Sequence, residues 1–536
     1  MFRLINAESK TIIGAATIVG LFSFFSRVFG FIRDRILAGT FGAGDTLDVY
    51  YAAFKIPDLM FSLMVVGALS ASFIPIFTNK YFRSSHESAW NFTSTVLNLT
   101  GIALALLTIT LIIFSHPLAQ VIAPGFSVAK QQTVSDFMRI MLVAQILLGL
   151  SMVLGSALQS LKRFFLYASA PILYNIGIII GAVWFVRFLG PIGLAWGVVL
   201  GAALHLLMQW LGCFGTGYVY RPLINFRSSD VRELLSLTGP RILGIAVNQI
   251  LFIVLAMIAT TMSAGSVTIF QFAYNIQFFP VGIVGVSLAI AAFPTFCAHL
   301  EDHDLDGARQ AFSSTVRQAL FFLIPVTVLF LILRAQMVRV VVGAGAFDWT
   351  STILTADTLA FFVLTLIPQS LVFILARMFF ALHDTLTPLT AGLIGALSGL
   401  LSAFVFKQSF GVVGLGIAYS VYAVVNLILL WVPLRKRLGS LDEARIMTSF
   451  MKLFVAGMVC AVVTQLLKPA LSMVFPLSSF VGVFMQGGVA GFVGLIVFGF
   501  IASLLKSEEL RAFLNAIQRR LLKKAKPLEP ITMSEQ

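Results

Sequence analysis

Charged residues are scarce in this sequence. Asp, Glu, Lys and Arg make up 11% of the 536 residues, whereas 59% are hydrophobic. Soluble globular domains carry about 25% charged residues, and the mean hydropathy of +0.98 is also far from that of a soluble protein. The composition therefore excludes a soluble domain and predicts a membrane protein.

Acidic residues are fewer than basic ones, 22 against 36, which gives a net charge of +14. Such an excess can indicate nucleic-acid binding. Here the basic residues lie in short clusters between apolar stretches, and no soluble domain is left to carry a basic face. We therefore expect no nucleic-acid partner and a chain surrounded by membrane lipids.

Cysteine is rare, and the usual signatures of enzymes are missing. Cys213, Cys297 and Cys460 lie far apart and form no C-x-x-C pair, which argues against a disulfide framework or a metal site. No nucleotide-binding loop or nucleophile–base set is visible. We expect no enzyme activity and no cofactor. If the chain transports a substrate, a substrate gradient, the membrane potential or a monovalent cation would therefore have to drive the transport.

Long apolar stretches dominate what is present. Fourteen of them have about 20 residues or more, the length that a membrane-spanning helix needs. We therefore predict an all-α polytopic membrane protein with about fourteen spans, near residues 11–37, 46–78, 90–115, 133–158, 164–188, 191–213, 234–262, 267–297, 313–335, 354–382, 386–407, 411–434, 448–472 and 480–505.

Lysine and arginine are distributed unevenly between the predicted loops. If the N-terminus is cytoplasmic, most of them, including the basic stretch 506–526, fall on the cytoplasmic side. The apolar run after Lys10 resembles a signal peptide, but it is too long and contains Arg27, so we interpret it as an uncleaved first span. Both termini are predicted to be cytoplasmic.

An internal repeat of about 220 residues relates the two halves. Gly190, Gly193 and Leu194 recur as Gly411, Gly414 and Leu415. Six spans per repeat is an even number, so both halves enter the membrane with the same polarity. We predict an N-terminal lobe (1–220), a C-terminal lobe (221–440), two additional spans (441–506) and a basic tail (507–536).

The first two predicted spans carry charges in their interiors. A charge at the bilayer centre costs roughly 2.5–3.5 kcal/mol or more, so it needs water, a partner or a ligand. Two polar stripes follow helical spacing, and they indicate two faces lining one cavity: Gly20, Ser23, Arg27, Gly30 and Asp34, and Asp48, Lys55 and Ser62. For Arg33 and Asp34, an alternative is anchoring at a frayed helix end.

Several motifs in these spans together resemble the N-terminal signature of the MurJ (MviN) lipid II flippases, of the multidrug/oligosaccharidyl-lipid/polysaccharide exporter superfamily. They are the stretches 26–34 (SRVFGFIRD), 41–44 (FGAG), 53–57 (AFKIP) and 73–75 (FIP), with Asp48. Weaker matches follow at Arg163–Asn175 and Arg377–Pro388. The resemblance covers essentially the whole chain and implies a lipid II flippase.

The sequence departs from the family at cationic positions. In the second span Phe61 and Ser62 stand where the family has arginines, and in the eighth span Tyr274 and Asn275 replace an Asp–Arg pair. Arg241 could supply a cation from the other lobe, although a helix-end anchor is the alternative. Asn275 could line the cavity or bond between helices.

The resemblance implies a site for the diphosphate of the substrate. Arginine suits diphosphate because its planar fork donates two hydrogen bonds at once. Arg27 and Arg33 are the main candidates and Lys55 is secondary, with Asp34 and Asp48 as carboxylate partners. The other candidates are Ser26, Asn275 and Arg241.

Our functional hypothesis is therefore a lipid II flippase that works by alternating access in the bacterial cytoplasmic membrane. We expect a monomer, with lipid II as substrate and cell-wall synthesis proteins as candidate partners. The alternatives are an exporter of another polyprenyl-linked oligosaccharide or of small cationic drugs, and a membrane scaffold for cell-wall synthesis that transports nothing.

Overall fold

The computed structural model describes residues 12–63, 70–477 and 479–522. These residues form helices and the turns between them, with no β-strand among them. The result confirms the predicted all-α class, and it follows from the need of a chain in lipid to satisfy its backbone hydrogen bonds internally.

Up to residue 213 the α-helices are α1 (Ile12–Phe41), α2 (Asp45–Ala53), α3 (Lys55–Phe61), α4 (Ser70–Asn79), α5 (His86–Ile113), α6 (Ser115–Ile122), α7 (Val128–Ser160), α8 (Phe164–Ile180), α9 (Val186–Leu189) and α10 (Gly193–Cys213). π-Helical turns at Lys80–Ser84 and Gly181–Phe185 and a 3₁₀ turn at Gly190–Ile192 complete this half.

After residue 228 the α-helices are α11 (Ser229–Thr260), α12 (Ser266–Pro280), α13 (Ser287–Glu301), α14 (Leu305–Ile332), α15 (Arg334–Val341), α16 (Trp349–Val363), α17 (Leu366–Ala381), α18 (Leu386–Phe410), α19 (Val412–Leu438), α20 (Glu443–Val474), α21 (Phe480–Leu504) and α22 (Glu508–Leu522). A π-helical turn, Val281–Val286, joins α12 to α13.

Each predicted span is mostly helical where the structure describes it, with breaks such as Phe54 in the second span and Leu364–Thr365 in the tenth. The count of fourteen stays a prediction. Among the described residues, nine helical stretches are long and apolar enough to cross a membrane, or ten if the bent pair α16–α17 is one span. One of the nine, Phe164–Cys213, includes two predicted spans, and the turn between them is at Gly190, where φ is +67°.

Pro171 lies inside α8 and has no N–H to donate to the carbonyl of Tyr167 one turn earlier. Gln209 of α10 repairs this loss, because its Nε2 donates to the Tyr167 carbonyl oxygen at 3.3 Å. The Gln209 side chain is almost fully buried. The buried polar residue Gln209 in the apolar helix α10 is thus explained by Pro171 on the neighbouring helix α8.

The backbone repeats at the predicted offset. Gly190 and Gly411 both have positive φ, +67° and +54°. Ser85 and Asp304 both accept a hydrogen bond from the backbone N–H three residues later, at the start of α5 and α14. Each of these helices is followed at once by a short helix, α6 or α15. The repeat seen in the sequence is therefore a repeat of local structure.

The chain packs as two units, with boundaries that differ from the predicted 220/221 division. Of the described residues, the first unit contains 12–37, 52–63, 70–246 and 519–522, and the second contains 38–51, 247–477 and 479–518. The first turns of α11 belong to the first unit because Leu234 packs in the cluster of Phe73, Phe77 and Trp90. Lys80 also pairs with Asp230 there, at 2.9 Å.

The last two long helices, predicted as additions, pack into the core of the second unit. Cys460 of α20 and Ala490 and Phe498 of α21 lie in one buried cluster with Phe312 and Ile324 of α14. In the basic tail predicted for 507–536, residues 508–522 form helix α22. Residues 523–536 and the basic positions Arg3 and Lys10 lie outside the described residues.

Residues 38–51, the turn between α1 and α2 with the helix ends beside it, belong to the second unit. The Ala346 N–H donates to the Gly39 carbonyl oxygen at 2.8 Å. Gly265 has a φ of +90°, and a Cβ there would overlap the carbonyl oxygen of Ala43. The turn after α1, the turn before α12 and the turn around Ala346 therefore meet at backbone contact distance. Such a close contact at a positive φ requires glycine.

Candidate functional site

Arg33 and Asp34 form an ion pair within α1. Arg33 Nε and Nη2 donate to the same oxygen of Asp34, Oδ1, at 3.0 and 2.8 Å. The Asp34 carboxylate is 2% exposed. A carboxylate buried in an apolar helix bundle needs such a partner, because taking an unpaired charge out of water costs several kcal/mol, roughly. The pair explains how two adjacent charges are tolerated here.

Asn175 of α8 holds the third donor of Arg33. Its Oδ1 accepts from Arg33 Nη1 at 3.0 Å. Its Nδ2 donates to the carbonyl oxygens of Ser26 and Pro171 at 3.3 and 3.1 Å. Asn175 therefore fixes the guanidinium of Arg33 and ties α1 to α8 within the first unit.

Lys55 and Asp58, on α3, add a second pair of opposite charges. Lys55 is 5% exposed, whereas Asp58 is exposed. The charge of Asp58 interacts with those of both Lys55 and Arg33. Together with Asp34 these residues form what we call the charge cluster: Arg33, Asp34, Lys55 and Asp58. It contains two cations and two carboxylates, so it is neutral overall.

Arg27 lies on the same helix as Arg33 and is half-buried. Six residues of α-helix separate the two by about 120° around the axis. Both arginines could reach one ligand if the helix bent or broke near Gly30, or if Arg33 turned toward the second span. α1 runs through Gly30 without a break, whereas the charge of Arg33 interacts with that of Asp58 on α3, in the predicted second span. A Cβ at Gly30 would meet nothing within 4 Å, so this side of the helix faces open space.

The partners that the structure describes for Asp48 lie at the start of α12 and are not cations, which corrects our prediction of Asp48 as a carboxylate partner of Arg27, Arg33 and Lys55. Its carboxylate accepts from the N–H of Gly265 at 2.7 Å and from the N–H and Oγ1 of Thr268 at 2.8 and 2.7 Å. The first N–H groups of an α-helix have no partner within it, and an anion there is also favoured by the helix dipole. Asp48 thus caps α12, and it belongs to the second unit.

The predicted stripe of Asp48, Lys55 and Ser62 is therefore not one functional face. The α-helix is interrupted at Phe54, between α2 and α3. Asp48 lies in the second unit and Lys55 in the first. The seven-residue spacing was correct for a continuous helix, but the two charges have different partners.

Tyr274 and Asn275, the uncharged residues of the eighth span, take part in aromatic packing and in a hydrogen bond between two side-chain amides. The ring of Tyr274 lies 4.3 Å from that of Phe252 and 5.7 Å from that of Phe278. Asn275 Oδ1 accepts from Gln271 Nε2 at 2.9 Å. Arg241 lies within α11, but its side chain is outside the described residues, so its predicted role stays a prediction.

Two residues of the first unit were missing from our predicted site, Asn175 and Asp58. Asn175 ends one of the stretches that suggested the family, Arg163–Asn175, and Asp58 directly follows another, 53–57. The available signal was an amide or carboxylate inside a long apolar segment, which needs a partner. Sequence alone does not show that this partner is Arg33, because the residues lie on different helices.

Comparison with known proteins gives one family. The family model for the lipid II flippase MurJ matches residues 37–485. A probable lipid II flippase MurJ of Buchnera aphidicola subsp. Acyrthosiphon pisum is 30% identical over 417 residues, 77% of this chain and 81% of that protein. One of Rickettsia prowazekii is 27% identical over 462 residues, 85% of this chain and 90% of that protein.

Solved structures agree at the level of the fold. A structure of the lipid II flippase MurJ in an inward closed conformation has a TM-score of 0.73 at 20% identity, covering 93% of this chain and all of that one. An inward-facing multidrug transporter of the MATE family has a TM-score of 0.68 at 16% identity, covering 78% and 96%. With the family model matching most of its length, this multi-pass membrane chain belongs to the MurJ family of lipid II flippases.

Proposed function

We propose that this protein moves lipid II from the inner to the outer leaflet by alternating access, and that it holds the diphosphate at Arg27, Arg33 and Lys55. The observation that carries the proposal is the charge cluster within apolar helices of a MurJ family member. Charges in such a place are expensive and mark substrate pathways. The substrate is an anion that cannot cross hydrocarbon unaided.

The neutrality of the charge cluster suggests how the anion is taken up and released. A diphosphate would replace Asp34 or Asp58 as the partner of Arg33 and Lys55, and the carboxylate would resume its place when the ligand leaves. Such an exchange keeps each buried cation paired throughout, which avoids most of the cost of an isolated charge. Ser26 lies beside this site, since its carbonyl already accepts from Asn175.

Asp48 and Asn275, two predicted site residues outside the charge cluster, have other roles in this proposal. Asp48 stabilises the start of α12, and Asn275 offers an amide to the sugar or peptide part of the substrate. Because Phe61, Ser62 and Asn275 are uncharged, the remaining cations carry more of the binding. Arg241 remains a proposed further cation, although it belongs to the first unit and not, as predicted, to the other lobe.

We place the protein in the bacterial cytoplasmic membrane with both termini in the cytoplasm, on the basis of the Lys/Arg asymmetry. We propose that it acts as a monomer without a bound cofactor. Moving an anion outward is favoured by an inside-negative potential, by about 2.3 kcal/mol per charge and 100 mV. The membrane potential is therefore a sufficient driving force, with a monovalent cation as the other proposed source.

Complementation of a bacterium depleted of its own lipid II flippase tests the function. The wild-type chain should restore growth, and Arg27→Ala should fail at matched membrane abundance. Losing one charge-assisted contact costs about 1.5–3 kcal/mol, or roughly ten- to a hundredfold in affinity. Arg27→Lys keeps the positive charge but loses the planar guanidinium, and should restore growth to a level between those of the wild type and Arg27→Ala.

Arg187 offers a matched control, because it lies at the end of α9, away from the charge cluster in the sequence. Arg187→Ala should complement as well as the wild type. If Arg27→Ala and Arg33→Ala both restored growth fully, a scaffold without transport would explain the function better. Failure of the wild-type chain itself would contradict the assignment of substrate.

A further inference from the structure

Helix α22 is clamped to the second unit by its first turn. Arg317 Nη1, on a side chain buried in α14, donates to Glu508 and Glu509 at 3.0 and 2.8 Å. Arg445 Nη2 donates to Glu508 at 2.7 Å. Hydrogen bonds from Arg445, and then from Arg317, hold the pKa of Glu508 below its usual value. The clamp is therefore charged at neutral pH, and the helix starts at a fixed place.

Beyond this turn the helix has an apolar face that the second unit covers only in part. Helical register puts positions 510, 513, 514, 517 and 521 on one face, within an arc of about 100°. Phe513 packs against Phe321 and Phe322, with ring centres 5.8 and 5.5 Å apart. Leu514, further round the same face, is 54% exposed.

The position and charge of α22 indicate what covers the exposed part of this face. Only residues 505–507 separate its start from the end of α21, a membrane-spanning helix, so it begins within about 14 Å of the span's end. The rest of the helix is basic, because it contains Arg511, Arg519 and Arg520 and no acidic residue follows Glu509 within it. Around the helix axis, Arg519 and Arg520 lie at register positions about 120–140° from Leu514, and Arg511 lies about 60° from it. A basic amphipathic helix beside a bilayer fits an anionic headgroup layer.

We propose that α22 binds the surface of an anionic bilayer, with Leu514 inserted among the lipids and the arginines at the phosphate level. The ion pairs of Arg317 and Arg445 make this contact part of the transporter, because α14 and α20 carry them. Through α22, the lipid surface would thus hold α14 near its middle and α20 near its start. This inference does not depend on which substrate is transported.

The test uses the full chain in vesicles, with Cys213, Cys297 and Cys460 replaced by alanine and an environment-sensitive fluorophore on Leu514→Cys. In vesicles of phosphatidylcholine and phosphatidylglycerol the emission should shift to the blue and brominated lipid should quench it. In pure phosphatidylcholine, or with high salt, both effects should be several-fold smaller. The same label on Ala512→Cys, on the opposite side of the helix, is the matched control and should change little.

A second variant separates lipid binding from folding. Arg519→Gln with Arg520→Gln should remove the dependence on phosphatidylglycerol while the ion pairs of Glu508 stay intact. A Leu514 label that is equally buried in both lipids and insensitive to these changes would mean that a protein surface covers the face, and would overturn the proposal. Equal quenching of the Leu514 and Ala512 labels would also overturn it.

Discussion

Arg33→Ala should abolish transport of lipid II, whereas Arg33→Lys should keep a small part of it. Arg33 uses three donor atoms, two for Asp34 and one for Asn175, and a lysine ammonium cannot reproduce this planar pattern. The alanine variant also removes this cation from a buried carboxylate, which typically costs about 3–5 kcal/mol. Complementation at matched membrane abundance, together with the apparent Tm of the purified variant, measures both effects.

Variants of Asn175 test how much the position of the Arg33 side chain matters, separately from its charge. Asn175→Leu keeps the cation but removes the acceptor that holds it, so we expect reduced transport, less severe than with Arg33→Ala. Asn175→Asp keeps the acceptor for Arg33 but loses the Nδ2 donor to the carbonyls of Ser26 and Pro171. Its charge also competes with the diphosphate for Arg33, so it should bind lipid II more weakly and have a lower Tm. Wild-type transport by Asn175→Leu would show that Asn175 does not position the arginine.

Asp48→Ala should be the most destabilising change outside the charge cluster. It leaves the N–H groups of Gly265 and Thr268 and the hydroxyl of Thr268 without their acceptor in a site where Asp48 is 2% exposed. Hydrogen bonds to charged groups contribute about 1.5–3 kcal/mol each, and an unsatisfied buried donor costs a similar amount. The apparent Tm in detergent should fall by several degrees, and transport should fall with it.

Asp45→Ala is the matched control, because it removes the same charge from the same helix at an exposed position. It should change the Tm much less. Asp48→Asn should lie between the two, since an amide oxygen can still accept from Thr268 but its nitrogen cannot accept from Gly265. Equal Tm values for Asp45→Ala and Asp48→Ala would contradict the capping role.

Much of the fold could be predicted from the sequence because lipid imposes simple requirements. Apolar length indicated the helical segments, and the recurrence of Gly190 as Gly411 indicated a repeat whose turns share positive φ. The α22 helix was predicted only as a basic tail. The role of its acidic first turn could not be predicted, because its partners Arg317 and Arg445 are distant in sequence.

The sequence predicted most of the charged residues of the candidate site, but it did not predict which residues they bond to. Arg33 and Asp34 were recognised because charges in apolar segments need partners, and their bond connects neighbours in sequence. Asp48 was assigned as a partner of the cations because the polar stripes of the first two spans were expected to line one cavity. Its actual partner is a helix start more than two hundred residues away, and only the packing of three glycine turns brings it there.

Binding of purified lipid II to the detergent-solubilised chain tests the central claim most directly. We predict saturable binding that weakens by roughly ten- to a hundredfold in Arg27→Ala and in Arg33→Ala, and only slightly in Arg187→Ala. Undecaprenyl diphosphate should compete, because it carries the same diphosphate, and a neutral polyprenol should not. Equal affinity of the wild type and both arginine variants would contradict the account.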